Sequence, residues 1–202
     1  MNSLTVSDEK AALRKRAKAE LKNYFSDKAL ARQCAESVAE AFFKTDEYKK
    51  APLIFAYMAM PDEISLEAVI RQALKDGKKV ALPRMYPGSN EMDFFYINSM
   101  DENFTSDNKY GIQEPSSDLE KVIPSEIPEN SVFMVPGLAF NLEGARLGRG
   151  KGFYDRYLSS LPVKGAVFCG VCTVNVITKA IPCAENDVKM TCLLNEYGFV
   201  RC

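Results

Sequence analysis

The sequence contains no histidine. That absence removes a histidine general base, a Ser-His-Asp triad and any histidine-bound metal. It leaves phosphoryl transfer open, because that chemistry works mainly by positioning, cations and Mg²⁺. Net charge is nearly absent as well, at −1 over 202 residues, so no global field recruits nucleic acid or an anionic membrane. No stretch approaches the roughly 18 apolar residues of a membrane span. The opening "MNSLTVSDEKAALRKRAKAEL" has no apolar signal-peptide core, and the expectation is a cytoplasmic protein. No second C-x-x-C accompanies Cys169 and Cys172 to complete a zinc site, and "GAVFCGVCTV" reads as an apolar strand. Cys34, Cys169, Cys172, Cys183, Cys192 and Cys202 are therefore expected as reduced, partly buried thiols rather than as a redox or metal centre.

The apolar fraction is 47%, enough for a real core, and the chain is read as one unit over residues 1–202. Ser7 to Tyr24 and Ser26 to Phe43 read as helices, the first rich in Lys and Arg. "PLIFAYMAM" (Pro52 to Met60) is a continuous apolar run, expected as a strand buried on both faces. A helix over Ser65 to Lys75 ends at Asp76-Gly77, and "KKVALPRM" and "MDFFYI" read as strands around the turn "YPGSN". Asn98 to Asn130 is polar and carries three prolines, as a surface excursion would. "SVFMVPGLAF" and "GAVFCGVCTV" are further strands, and "NDVKMTCLLNEYGFV" holds one or two more. Strands separated by helices argue for an α/β fold with a largely parallel sheet, whose ligands gather at the carboxyl ends of strands.

What the sequence has in abundance is glycine in one place. Gly144, Gly148, Gly150 and Gly152 are interleaved with Arg146, Arg149 and Lys151, and Phe153, Tyr154 and Asp155 follow at once. Glycine lets backbone approach a ligand closely, and cations beside free N–H groups at a helix start suit phosphate. The loop is neither a Walker A nor a Rossmann fingerprint: Ala145 and Gly152 break the first pattern, and the spacing G-x-G-x-G breaks the second. Asp155 beside so many cations makes sense if a divalent cation bridges it to phosphates.

Taken together, "PGLAFNLEGARLGRGKGFYDRYL" (Pro136 to Leu158) resembles the 5-formyltetrahydrofolate cyclo-ligase family (5,10-methenyltetrahydrofolate synthetase). "KAALR", "YMAMPDEI", "LPRMY", "MDFFYI" and "ENDVKM" agree with the family in the same order. The resemblance implies a three-layer αβα sandwich related to the sugar-phosphate isomerase and CoA-transferase type. It implies ATP- and Mg²⁺-dependent closure of 5-formyltetrahydrofolate to 5,10-methenyltetrahydrofolate by a monomer with no nucleic-acid or membrane partner. Matched to the family's motifs, Lys10, Arg14, Arg146, Gly148, Arg149, Gly150, Lys151, Gly152 and Tyr154 fall at ATP contacts. Lys151 and Arg149 take the catalytic role among them. Met58, Glu63, Phe153 and Tyr154 fall at folate contacts, and Asp155 and Asp187 at metal-binding carboxylates. Three positions depart from the family: Asn141 and Thr191 where Asp is usual, and Phe153 where Tyr is usual. They motivate an alternative, a folate- or nucleotide-binding relative with weakened catalysis. A sugar-phosphate isomerase is a third reading, with Glu63 as its only candidate base.

Overall fold

The computed structural model describes residues 5–101, 104–106, 108, 111–162 and 164–202. Part of the 98–130 excursion and the first four residues thus lie outside the described residues. Helix α1 (Val6–Tyr24) starts from a capping box in which the Thr5 hydroxyl accepts from the Asp8 N–H while Asp8 reaches back to the Thr5 N–H. Helix α2 (Lys28–Phe43) is capped by Asp27, which accepts from the Ala29 and Leu30 N–H groups. Helix α3 (Asp46–Lys50), capped by Thr45, has no counterpart among the sequence expectations, because five residues are too few to show a period.

Strand β1 (Leu53–Phe55) is followed by α4 (Glu67–Lys75), β2 (Lys79–Met85) and β3 (Met92–Ile97). The excursion holds two short pieces, β4 (Phe104–Thr105) and β5 (Glu114–Pro115), paired with each other. Then come β6 (Val132–Pro136), the small ribbon of β7 (Ala139–Phe140) and β8 (Arg146–Leu147), and α5 (Phe153–Ser159). The chain ends in β9 (Val167–Val171), β10 (Cys192–Asn195) and β11 (Gly198–Arg201). The first apolar run gives a shorter strand than its composition suggests. Ala56 still donates to the Ala81 carbonyl, but the chain then turns away with Ala56 and Tyr57 buried. Apolarity reports burial, and burial here continues after sheet pairing stops.

Seven strands form one mixed sheet in the order β11-β10-β9-β6-β1-β2-β3, flanked by helices. The five central strands are parallel, and β3 and β11 are antiparallel edges. From β1 the chain crosses through α4 to β2 on one side, and from β6 it crosses through α5 to β9 on the other. Right-handed crossovers in opposite directions put α4 and α5 on opposite faces, and the strand order reverses between β1 and β6. The core beneath α5 is aromatic. Phe55 stacks on Phe133 with ring centroids 3.8 Å apart, and Phe94 meets Phe55 edge-on at 5.0 Å. Tyr157 of α5 closes over Phe94 at 5.0 Å. Each such pair adds about 0.5–1.5 kcal/mol beyond its buried area.

Among the described residues, no helix is long and apolar enough to cross a membrane. Cys169 lies in β9 directly beside Cys192 of β10, and Cys172 follows the end of β9. All three are buried, as is Cys34, and none forms a disulfide. The described residues contain no group of three or more His, Cys, Asp or Glu side chains that could hold a metal ion.

Candidate active site

A cavity of about 550 Å³ opens at the carboxyl ends of the strands, beside the point where the strand order reverses. Its walls come from distant parts of the chain, Pro83 and Met85 of β2, Met92 of β3 and Ile112 to Glu114 among them. Tyr57, Met58, Met60 and Glu63 follow β1, Pro136 and Gly137 end β6, and the whole stretch from Arg146 to Asp155 borders it. Lys10, Arg14 and Lys18 reach in from α1, and Asp187 from the segment before β10. The structure thus brings together every site residue expected from sequence, over separations of up to 177 positions.

The glycine loop runs from β8 into α5. Gly150 and Gly152 take φ of 99° and 69°, a region that costs other residues energy, and Gly152 is the cap residue of α5. Backbone N–H groups from Arg149 to Asp155 find no acceptor among the described residues. Arg14 is held against the loop by its Nε–H, which donates to the Gly148 carbonyl at 3.0 Å. Lys151 is exposed at the cavity's edge, and neither it nor Lys18 forms an ion pair among the described residues.

The other cations of the site are already engaged. Arg146 is buried, donating to the Pro136 carbonyl at 3.1 Å and to Asp155 Oδ2 at 2.9 Å. Its guanidinium lies 5.7 Å from the centre of the Tyr154 ring. Lys10 forms an ion pair with Asp187, whose carboxylate also accepts from the Ala184 N–H. Arg149 grips two carboxylates, Asp62 at 2.6 and 3.2 Å and Glu63 at 2.9 and 3.0 Å. Burial pushes the Glu63 carboxyl above its usual range, while Arg149 and the Met60 N–H pull the other way. The Tyr154 hydroxyl is buried with no partner among the described residues, and burial raises its pKa well above the usual phenol value.

Two of the three departures from the family pattern lie away from the cavity. Asn141 is buried in the β7–β8 turn, where its Oδ1 accepts from the Ala145 N–H at 2.7 Å and the Glu143 N–H at 3.2 Å. An amide oxygen serves that turn as a carboxylate would. The Thr191 hydroxyl spans to β9, accepting from the Phe168 N–H at 3.0 Å and donating to its carbonyl at 3.2 Å. Only Phe153 borders the cavity.

Lys18 and Glu114 line the cavity and Asp62 is joined to it through Arg149; none of the three was anticipated. Lys18 continues the Lys10–Arg14 row at steps of four, so helical spacing alone could have marked it. Asp62 adjoins Glu63 but gave no sign of its partner 87 positions away. Glu114, from the polar excursion, is buried against β2, with Oε1 accepting from the Met85 N–H at 3.2 Å; no local pattern singled it out.

Asp155 and Asp187 border the same cavity, and the Val188 N–H donates to Asp155 Oδ1 at 3.3 Å. Each of these carboxylates already faces a cation, Arg146 and Lys10 respectively, and carboxylate oxygens are the donor type that Mg²⁺ takes when it keeps several waters of its own.

The sequence profile of the 5-formyltetrahydrofolate cyclo-ligase family matches residues 6–196. A probable 5-formyltetrahydrofolate cyclo-ligase of Schizosaccharomyces pombe is 30% identical over 176 residues, 82% of this chain and 85% of its own. The 5-formyltetrahydrofolate cyclo-ligase of Mus musculus is 28% identical over 201 residues, covering 97% of this chain and 98% of its own. The solved structure of Aquifex aeolicus 5,10-methenyltetrahydrofolate synthetase is similar with a TM-score of 0.77 and 28% identity, covering 95% of this chain and 92% of that one.

Proposed function

Because the chain belongs to the 5-formyltetrahydrofolate cyclo-ligase family, we propose that it closes 5-formyltetrahydrofolate to 5,10-methenyltetrahydrofolate with conversion of ATP to ADP and phosphate. The observation that carries this reading is the meeting, in one cavity, of an open phosphate-type loop with a buried carboxylate on the facing wall. The formyl oxygen attacks the γ-phosphorus and ADP leaves. The neighbouring folate nitrogen then attacks the activated carbon and loses its proton, and the formyl oxygen departs within phosphate. No group on the protein is covalently modified, which agrees with a chain lacking histidine.

The protein's part is to hold two ligands in line and balance charge. Lys151, exposed and without an ion pair among the described residues, reaches the transferring phosphoryl group, with the backbone N–H groups of the loop beside it. Lys10 and Arg14 flank the same phosphates from α1. Glu63 accepts from donors on the pterin ring, and Met58, Phe153 and Tyr154 pack its faces. Asp155 and Asp187 would hold Mg²⁺, which would neutralise phosphate oxygens. We place this activity in a cytoplasmic monomer. Of the departures that motivate the alternative of a relative with lost catalysis, Asn141 and Thr191 serve the backbone rather than the cavity, and Phe153 loses a hydroxyl but keeps its aromatic face on the cavity.

The test is direct. Purified protein mixed with 5-formyltetrahydrofolate and MgATP should develop methenyl-folate absorbance in the near ultraviolet only when both ATP and Mg²⁺ are present. A flat trace from folded protein refutes the reading.

A further inference from the structure

Arg149 sits in the phosphate-type loop, yet its guanidinium is turned onto the opposite wall. Both terminal nitrogens donate to the two oxygens of Asp62, and Nε and one terminal nitrogen converge on Glu63 Oε1. The second oxygen of Glu63 accepts from the Met60 N–H at 2.9 Å. The carboxylate assigned to the pterin is therefore satisfied from within the chain, and so is the cation assigned to phosphate. Asp62 has no other hydrogen-bonding partner among the described residues. Side-chain exposure is 27% for Arg149, 21% for Asp62 and 10% for Glu63, so the cluster is shielded enough for its charges to count.

We infer that Asp62 is a positioning residue that parks Arg149 on Glu63 when the site is empty, and that ATP and formylfolate each bind better once Arg149 is released. The inference rests on the proposed ATP and folate sites. A phosphate competes with Asp62 and Glu63 for Arg149, while a pterin competes with Arg149 for Glu63 Oε1. Whichever ligand arrives first shifts the same equilibrium, so the second no longer meets that cost. Linkage makes the effect reciprocal: each ligand tightens the other by one shared factor. If both ligands require the released state, that factor is one plus the ratio of parked to released protein. Removing the Asp62 charge lowers the ratio. Each ligand alone then binds more tightly, and the mutual tightening shrinks.

Calorimetry with the full chain tests this without turnover, using 5-formyltetrahydrofolate and the magnesium complex of the β,γ-imido analogue of ATP. Each is titrated alone and with the other saturating. In the unaltered protein, mutual tightening on the order of 5- to 150-fold is expected, the usual range of such coupling. In Asp62→Asn, both single-ligand dissociation constants should fall, the coupling should drop at least threefold, and the affinity for the second ligand should stay put. Asp62→Ala should behave alike, and thermal melts check that both variants are folded. A merely structural role would weaken both ligands and leave the coupling factor unchanged, which overturns the inference. Independent binding in the unaltered protein also overturns it, while leaving the proposed function intact. Failure of either ligand to bind the unaltered protein defeats the proposed function and the inference with it.

Discussion

Gly144 ties the glycine loop to the segment that carries Asp187, and its replacement by alanine offers a demanding test of the structure. Gly144 has φ of 83°, and its carbonyl accepts the Met190 N–H at 2.8 Å. A Cβ built there would lie 2.3 Å from the Met190 carbonyl oxygen, a backbone atom that no rotamer change can move aside. Two costs combine. Left-handed backbone costs a non-glycine residue roughly 1–2 kcal/mol. Relieving the clash adds about 1–3 kcal/mol, the usual range for overpacking. Gly144→Ala should therefore lose about 2–5 kcal/mol, or roughly 4–20 °C in Tm for a chain of this size. Gly77→Ala provides the control: its φ of 74° carries the same backbone cost, but nothing lies within 4 Å of the added Cβ. It should lose only about 1–2 kcal/mol. The assay is chemical and thermal unfolding of both variants beside the parent. If the two lose the same stability, the close approach of Met190 to Gly144 is wrong. The displaced segment should also raise the Mg²⁺ concentration needed for turnover in Gly144→Ala but not in Gly77→Ala.

Lys151→Ala should lower turnover by about 10²–10³ with little change in stability, since the side chain is exposed and has no ion pair among the described residues; a rate within about threefold of the parent would remove its role. Asp155→Asn leaves the buried Arg146 charge without its carboxylate. It should cost about 3–5 kcal/mol by denaturant unfolding as well as raising the Mg²⁺ requirement; unchanged stability would contradict the pair. In native protein near neutral pH, thiol titration should find Cys183 and Cys202 fast and the four buried cysteines slow. Burial raises the Cys34 thiol to about 11, so it stays protonated until the pH approaches that value, and its labelling rate should rise with pH throughout the neutral range. Rapid labelling of Cys34 at pH 7 would refute its burial.

Local features were legible because local physics makes them. The helices expected from Ser7 and Ser26 are there, and their starts shift by one or two residues to Val6 and Lys28, where Thr5 and Asp27 supply the caps through bonds spanning three residues or fewer. The apolar runs around Ile54, Phe133 and Cys169 announce strands because burial on both faces leaves little room for polar residues. The glycine-and-cation stretch from Gly144 to Asp155 stood out on its own residues as a loop suited to phosphate. Lys10 and Arg14 were marked only by the resemblance to the family, because nothing local separates them from the other cations of α1.

Tertiary structure alone decided which charges are open and which are spent. Arg146, Arg149 and Lys151 look equivalent in sequence, being neighbours of like charge among glycines. Folding buries Arg146 against Asp155, turns Arg149 onto Asp62 and Glu63, and leaves only Lys151 exposed. The difference arises because β1 and β6, 78 residues apart at Ile54 and Val132, lie side by side in the sheet. That pairing faces the loop after one strand with the loop after the other. No local pattern encodes strand order, which is settled by how apolar faces are covered across the whole chain; hence the loop could be read from the sequence, and the partner of each of its cations could not.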